Sequence, residues 1–563
     1  LMPFDPSEVP DYVINDPLLS AQERRYGFYP LLDKNLRPIA YMFKNQQGGS
    51  YSAVSDFCLE PLLHVEDGMG GNKRVVKLTH TRSRFDRYLE LPSEVFASLQ
   101  TLKINLVKAG GYNFFGSSNQ YSTIWQPISY GFTNCKELKV FGQHHDNDFF
   151  AFSNAIFHQV DGKYKIDYMN DLGVAEHDGE SFYSPASSCI NINNREDNTY
   201  KQANNIRYKE IMEKDRLSFT DWADLMNRVY CTNENGQWSI LFAITSAFRD
   251  FIMRHRGSFT ALFFIGPTGS GKTQVAESVR NLFMNSNTPS FNLNTGTDAS
   301  FFMILETLRN IVILMEEYNE NQISDAKFQG LKSATLDGEG KIKVKDIGSK
   351  TMDSSDINAA LIILGQEAAQ KDDGALSNRC ILCDVPYRAS EFTEEEIAIY
   401  EKLKKHERIG LCNILVDILS LRPIFEKHYL AILAEETKKI KDSVRVEVTN
   451  TEGLARIINA VALHVATCRL METYAPEMKL PFAYEDFFKT GCKKVLSQLD
   501  RISSSNKLST YFNTINTLLT DRIIISGREF KISTMDKVSV KQPGNKTESL
   551  SLGVPTKVLY LDF

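Results

Sequence analysis

The chain has 563 residues, 42% hydrophobic and 24% charged, too long for one hydrophobic core and too apolar for a disordered polymer. Its 64 Lys and Arg against 70 Asp and Glu leave a formal net charge of −6, which excludes a protein that coats nucleic acid with its whole surface but allows a local basic lining. Nine scattered cysteines suit a reducing compartment better than a disulfide framework, and no apolar run approaches bilayer length, so neither a spanning helix nor a membrane anchor is expected.

The opening residues show no basic region followed by an apolar one, so no secretory leader is expected. Residues 1–205 alternate short β-like runs with turn signals such as DGMGGNK and KAGGYNFFG, and predict a β-rich mixed α/β domain closed by the polar linker Asn191 to Asn205. Within it, Lys73 to Arg87 concentrates six basic side chains and reads equally as a DNA-contacting collar or as a solvated sheet face. The pair His144-His145 has no matched ligands nearby and reads as surface structure. Residues 206–390 turn helical and then alternate strands with helices, the signature of an α/β core with a parallel sheet. Residues 391–500 carry Glu, Lys, Leu and Ile at helical spacing and predict a bundle. Residues 501–563 combine a helical run with strand-like pieces, the composition of a small winged-helix-like module.

The sharpest signal is ALFFIGPTGSGKTQVAESVRNLF. Gly266-Pro267-Thr268-Gly269-Ser270-Gly271-Lys272-Thr273 follows an apolar strand and precedes a helical run, the context of a phosphate-binding loop. The glycines let the backbone wrap a polyphosphate, the helix aims its free N–H groups at the anion, Lys272 should reach the β- and γ-phosphates, and Thr273 should ligate Mg²⁺. The next apolar run ends in Glu316-Glu317, with Glu316 predicted to hold the metal and Glu317 to orient or deprotonate the attacking water. A third run ends in Gln366, whose amide can bond both γ-phosphate and water, and a fourth, RCILCDV, starts after Leu376-Ser377-Asn378-Arg379. Arg379 at a strand entry is either a surface residue or an arginine finger for a neighbour's nucleotide. The C-x-x-C of Cys380 and Cys383 lacks a second pair of ligands and reads as buried strand. Between the acidic and Gln366 runs, GKIKVKD alternates Lys341, Lys343 and Lys345 with apolar residues, a lysine row on one face of a strand that reads as an edge device against aggregation or as a phosphate contact.

In this order the parts resemble the AAA+ ATPases and, more narrowly, the superfamily 3 and MCM-like replicative helicases of phages, plasmids and mobile genetic elements. GPTGSGKT, IVILMEEYNE, LDGEGKIKVKD with INAALIILGQE, and ALSNRCILCDVP carry the resemblance over Ala261 to Pro386. Upstream, VFGQHHDNDFFAFSNAIF and LGVAEHDGESFYSPA are similar to the domain before the motor in cassette-borne helicases.

The resemblance implies ATP and Mg²⁺, a homo-oligomeric, hexameric ring, and a pore β-hairpin whose Lys341, Lys343 and Lys345 grip the single-stranded DNA of a forked duplex. It implies Arg379 supplied in trans, Arg456 as a second sensor that contacts nucleotide, a primase alongside, and a cytoplasmic setting in a bacterial or phage-infected cell. Two departures stand out: Glu-Glu replaces the usual Asp-Glu, and Gln366 replaces the usual Asn. The alternative function is an AAA+ initiator, loader or assembly switch that binds ATP without processive unwinding.

Overall fold

The computed structural model describes residues 8–45, 49–67, 71–80, 86–146, 148–160, 162–192, 205–336, 339–346, 351–369, 374–388, 390–444, 453–520, 530–541 and 547–561, with only the backbone course described for residues 192, 339–346, 351–355, 503–513, 516, 519–520, 530–541 and 547–561. The expected linker therefore falls, over residues 193–204, outside the described residues.

The N-terminal region is β-rich, as its turn signals predict. A six-stranded sheet contains β1 (Phe57–Glu66) and β2 (Lys73–His80), and a five-stranded sheet contains β3 (Ala155–Val160) and β4 (Lys163–Tyr168). The hairpin of β5 (Val174–His177) and β6 (Glu180–Tyr183) belongs to the six-stranded sheet, and its two-residue turn Asp178-Gly179 takes φ of 49° and 78°, the positive values that such tight hairpins need. One strand of the five-stranded sheet comes from far along the chain. Leu308–Arg309 runs parallel to Phe141–His144, and Gly142 is obligatory there because a Cβ would meet the Arg309 carbonyl oxygen at 1.8 Å.

The central core is a five-stranded parallel sheet. Its strands in chain order are β7 (Ala261–Ile265), β8 (Phe291–Asn292), β9 (Val312–Tyr318), β12 (Ala360–Gly365) and β13 (Cys380–Asp384), while β10 (Glu339–Asp346) and β11 (Thr351–Asp356) form a separate antiparallel hairpin between β9 and β12. The spatial order is β8-β9-β12-β7-β13, all parallel, so the strand order reverses beside β7. In open α/β sheets a ligand sits beyond the carboxyl ends of the strands at such a reversal. Strands buried on both faces read as continuous apolar runs, and every residue of β7 and β12 is buried.

Helices from the bundle pack on this sheet in one continuous hydrophobic cluster. Within it, α1 (Leu454–Tyr474) is long and apolar enough, by length and composition, to cross a membrane, which the sequence reading did not anticipate; 72% of its apolar window is buried inside the protein, so here it is a core helix. The 37-residue helix α2 (Tyr484–Thr520) runs through residue 500 and borders β13, the edge strand. Gln498 supplies what a neighbouring strand would: its Oε1 accepts from Leu382 N at 3.1 Å, and its Nε2 donates to the carbonyls of Ser377 and Cys380 at 3.0 and 2.8 Å. Beyond residue 520 the described structure is a two-stranded ribbon, Phe530–Lys541 with Thr547–Leu561, in the region where the sequence predicts a winged-helix-like module. Cys380 and Cys383 are free and buried in β13, with both thiols pushed up to about 12 by burial; their odd spacing sends them to opposite faces, unsuited to a shared metal.

Candidate nucleotide site and nucleic-acid interface

The phosphate-loop sequence folds as its residue types require. Directly after β7, a Cβ on Gly266 would meet Val385 O at 2.1 Å, and Gly269 and Gly271 take φ of 80° and 94°. The helix Lys272–Arg280 starts at Gly271 without a side-chain cap, so its first-turn N–H groups point out of the loop. Lys272 Nζ lies 2.6 Å from Gly266 O and 2.7 Å from Pro267 O, and burial holds its pKa below the ordinary lysine value while Glu317 opposes that shift. Ser270 Oγ is buried without a partner among the described residues, and Thr273 is half-buried in the first turn. A glycine cradle, an orphaned hydroxyl, an ammonium and an uncapped helix end together fit a nucleoside polyphosphate with its divalent cation.

Register brings the other predicted residues to the same end of the sheet. Ile265 of β7 is level with Gly365 of β12 and Asp384 of β13, so Gln366 follows immediately beside the loop and its Nε2 donates to Thr268 Oγ1 at 3.3 Å. On β9 the pairing with β12 slips between Met315 and Tyr318, and both acids occupy the slip. Glu317 has φ of 60°, a left-handed conformation that costs a non-glycine residue on the order of 1 kcal/mol or more. A bulge of this kind re-aims a side chain and is over-represented beside active sites. It makes Glu316 half-buried and Glu317 exposed, two different environments for two identical side chains. The Glu316 carboxyl is raised above its usual value by burial and by the neighbouring Glu277 and Glu317, with a Ser290 hydrogen bond and Arg280 opposing. Residue types alone do not announce the bulge, since Glu-Glu at a strand end looks the same flat or kinked.

Arg379 and Arg456 lie elsewhere. Arg379 ends the 3₁₀ turn Ser377–Arg379, and the next residue, Cys380, is level with Ala261 at the start of β7. At about 3.3 Å per residue that end of the sheet is on the order of 15 Å from the phosphate loop. The Arg379 guanidinium is half-buried and donates to Ala375 O at 3.2 Å. Arg456 is exposed in the first turn of α1, three residues after Gly453, where a Cβ would lie 2.8 Å from Asn378 Oδ1. The structure thus brings Arg456 to the Arg379 turn, and not to the loop of its own chain.

A network missed by the sequence reading occupies that same far end. Buried Asp250 accepts from Arg422 Nη2 at 2.6 Å and lies 3.0 Å from His145 Nδ1 and 3.3 Å from Arg254 Nη2, while Arg249 donates to the carbonyls of Ile357 and Ala334 at 2.9 and 2.8 Å. Burial alone would raise the Asp250 carboxyl; hydrogen bonds from His145 and Arg422 instead hold it far below the usual carboxylate range. His144-His145 is therefore not mere surface structure. His144 stacks on Phe149 with its pKa lowered to about 4 by burial, and His145 ties the N-terminal region to the core.

The two basic stretches also part company. On β2, Lys73 pairs with Glu90 and Glu137 at 3.0 Å, Lys77 with Glu60 and Asp86 at 2.9 and 3.4 Å, and the Arg74 guanidinium lies over Phe96, Trp125 and Phe132. These three cations are committed internally, which disfavours the collar, while Arg87 is exposed; Arg82 and Arg84 lie outside the described residues. In the hairpin, Lys343 is directly opposite Asp353, and the register shifts between Glu339 and Ile342 and again between Val344 and Asp346. Lys341 and Lys345 fall within those irregular stretches, so the lysine row is interrupted where a regular strand was expected.

No protein-family model matches the sequence, and no curated protein matches it. Among solved structures the chain is similar to one described as SCCmec type IV Cch, an active helicase, with a TM-score of 0.50, 12% identity, and coverage of 92% of this chain and 88% of that one. Two further similarities are to the C-terminal region of NrS-1 (TM-score 0.25, 10% identity, 74% and 88% covered) and to a JCV helicase bound to an inhibitor (TM-score 0.22, 15% identity, 42% and 64% covered). The first of these is a likeness of fold across nearly the whole of both chains.

Proposed function

We propose that this protein is an ATP-dependent DNA helicase or translocase that works as a homo-oligomeric, hexameric ring in the replication of a phage or mobile genetic element. The observation that carries the reading is the gathering of the phosphate loop, the bulged acid pair and Gln366 at one end of a parallel sheet, with Arg379 at the other. A nucleotide held by Gly266–Thr273 of one protomer has its own Arg379 too far away to help, and a neighbouring protomer can present that arginine instead. Hydrolysis at the junction between protomers is what such a division of groups favours.

In this reading Lys272 and the loop N–H groups hold the β- and γ-phosphates. Thr273 and Glu316 would hold Mg²⁺, which neutralises charge on the phosphate oxygens. Glu317, exposed and turned aside by its backbone, orients the attacking water and accepts its proton, and Gln366 senses the γ-phosphate from the end of β12. Arg456 would reach nucleotide across the junction with Arg379. Lys341, Lys343 and Lys345 would follow the phosphate backbone of the threaded strand, coupling hydrolysis to movement. The fold likeness to a protein described as an active helicase supports this class of function.

The test is electron microscopy of the protein with an ATP analogue and forked DNA, run beside a strand-separation assay. A closed ring that separates strands with ATP is expected. A ring or complex that forms with ATP and hydrolyses it without separating strands would leave the loader or assembly switch as the better reading.

A further inference from the structure

Away from the nucleotide site, His158, Asp167 and His177 bring one ligand atom each to within 4.8 Å of one another. His158 comes from β3, Asp167 from the adjacent β4, and His177 from the end of β5, so two sheets of the N-terminal region converge on the cluster. Both imidazoles are 7% exposed. His158 Nε2 is 2.7 Å from Asp167 Oδ2, and the other carboxylate oxygen lies 2.8 Å from Lys165 Nζ. The two imidazole rings meet edge to face with centroids 4.4 Å apart, and His177 also makes a T-shaped contact with Phe149 at 5.3 Å.

A plain His-Asp hydrogen bond accounts for His158 and Asp167. A second buried imidazole, His177, reaches the same spot from a different sheet and completes a set of three ligand atoms. Two imidazoles and a carboxylate are a common donor set for zinc, at distances that place neighbouring donors roughly 3.4 Å apart. Small side-chain rotations separate the hydrogen-bonded pair and draw in His177 to reach that spacing. Lys165 supplies the outer hydrogen bond that fixes a ligating carboxylate, an arrangement typical of metal sites. Asp178, in the hairpin turn with its Oδ2 3.6 Å from His177 Nε2, stands where a fourth ligand would come from.

We propose that His158, Asp167 and His177 bind one zinc ion, with Asp178 or water as the fourth ligand, and that the ion clips the two N-terminal sheets together. The proposal does not depend on the helicase reading, because its readouts need neither nucleotide nor DNA. The full chain, with any affinity tag removed and treated with a chelator, is titrated with Zn²⁺ against a chromophoric competitor and separately with Co²⁺. Uptake of one ion per chain is expected, with cobalt d–d bands and no thiolate charge-transfer band, since the cysteines are not involved.

Asp167→Asn keeps a hydrogen-bonding group beside His158 and should weaken zinc by at least the roughly 10- to 100-fold that loss of an outer hydrogen-bond partner costs. Zn²⁺ should raise the Tm of the wild-type protein and leave that of His177→Ala unmoved. Absence of stoichiometric uptake, a thiolate band, or equal affinity in Asp167→Asn and wild type would overturn the proposal; Asp167→Asn decides the matter even if His177→Ala fails to fold.

Discussion

The two ends of the parallel sheet both carry charged and polar side chains and use them differently. At the amino ends of the strands, Arg249, Asp250, Asn310 and Arg422 spend most of their hydrogen bonds on one another and on backbone carbonyls, in a buried network that leaves Arg249 Nε without a partner. At the carboxyl ends, Lys272 rests on two loop carbonyls, Gln366 makes a long bond to Thr268, Glu317 is exposed on a left-handed backbone, and Ser270 Oγ is orphaned. Polar groups that satisfy each other hold a fold; polar groups held close together with their capacity unspent are arranged for something that arrives.

Arg379, also at the amino end and donating to Ala375 O, is the residue proposed to serve another protomer, and it provides the sharpest way to break the comparison. If it serves a neighbour, Arg379→Ala should lower ATP turnover on the order of 10³-fold or more while nucleotide binding persists. Mixing it with Lys272→Ala protein should restore part of the turnover, because one of the two mixed junctions then has both groups intact. Failure of the mixture to recover any activity would return Arg379 to a structural role. Lys272→Ala alone should cost roughly two to three orders of magnitude in turnover, measured by phosphate release, by analogy with loss of one donor that stabilises transition-state charge.

The structural end should answer in stability. Asp250→Asn leaves Arg422 buried against a neutral group and should cost about 3–5 kcal/mol, read by denaturant melts. Because the folded-state pKa of Asp250 is depressed, its stabilisation is fully present above the unfolded value of about 4 and is lost as pH falls toward the folded one; the acid limb of a Tm–pH profile should flatten in the variant. The smallest effect belongs to the hairpin. Lys341→Ala with Lys343→Ala should reduce the salt slope of single-strand binding by about 0.7 for each lost phosphate contact, with basal hydrolysis unchanged. The matching change on β2, Lys77→Ala, should leave DNA binding alone, since Lys77 already faces Glu60 and Asp86.

How much of this was legible in the sequence depended on whether the chemistry is contiguous. The phosphate loop must be built from adjacent residues, so its glycines, Lys272 and Thr273 announced themselves, and the four apolar runs announced a parallel sheet. The neighbour order and the gathering of Gln366 with the loop arise from register between distant strands, which local patterns do not encode. Likewise KRVVK and KIKVK look alike as strings. Only the carboxylates of Glu60, Glu90 and Glu137, brought in from other strands, distinguish a filled sheet face from a candidate phosphate contact. A nucleotide contact by Arg456 is implied by the family resemblance alone, and the turn that sets the direction of its helix lies at Gly453 beside Asn378.

The dipeptide Leu308–Arg309 belongs to two architectures at once. It is stitched into the five-stranded N-terminal sheet at Gly142, and three residues later the chain enters β9, which carries the acid pair. With so little slack, the N-terminal sheet is tethered to the strand that bears Glu316 and Glu317, like two plates joined by a short tie rod.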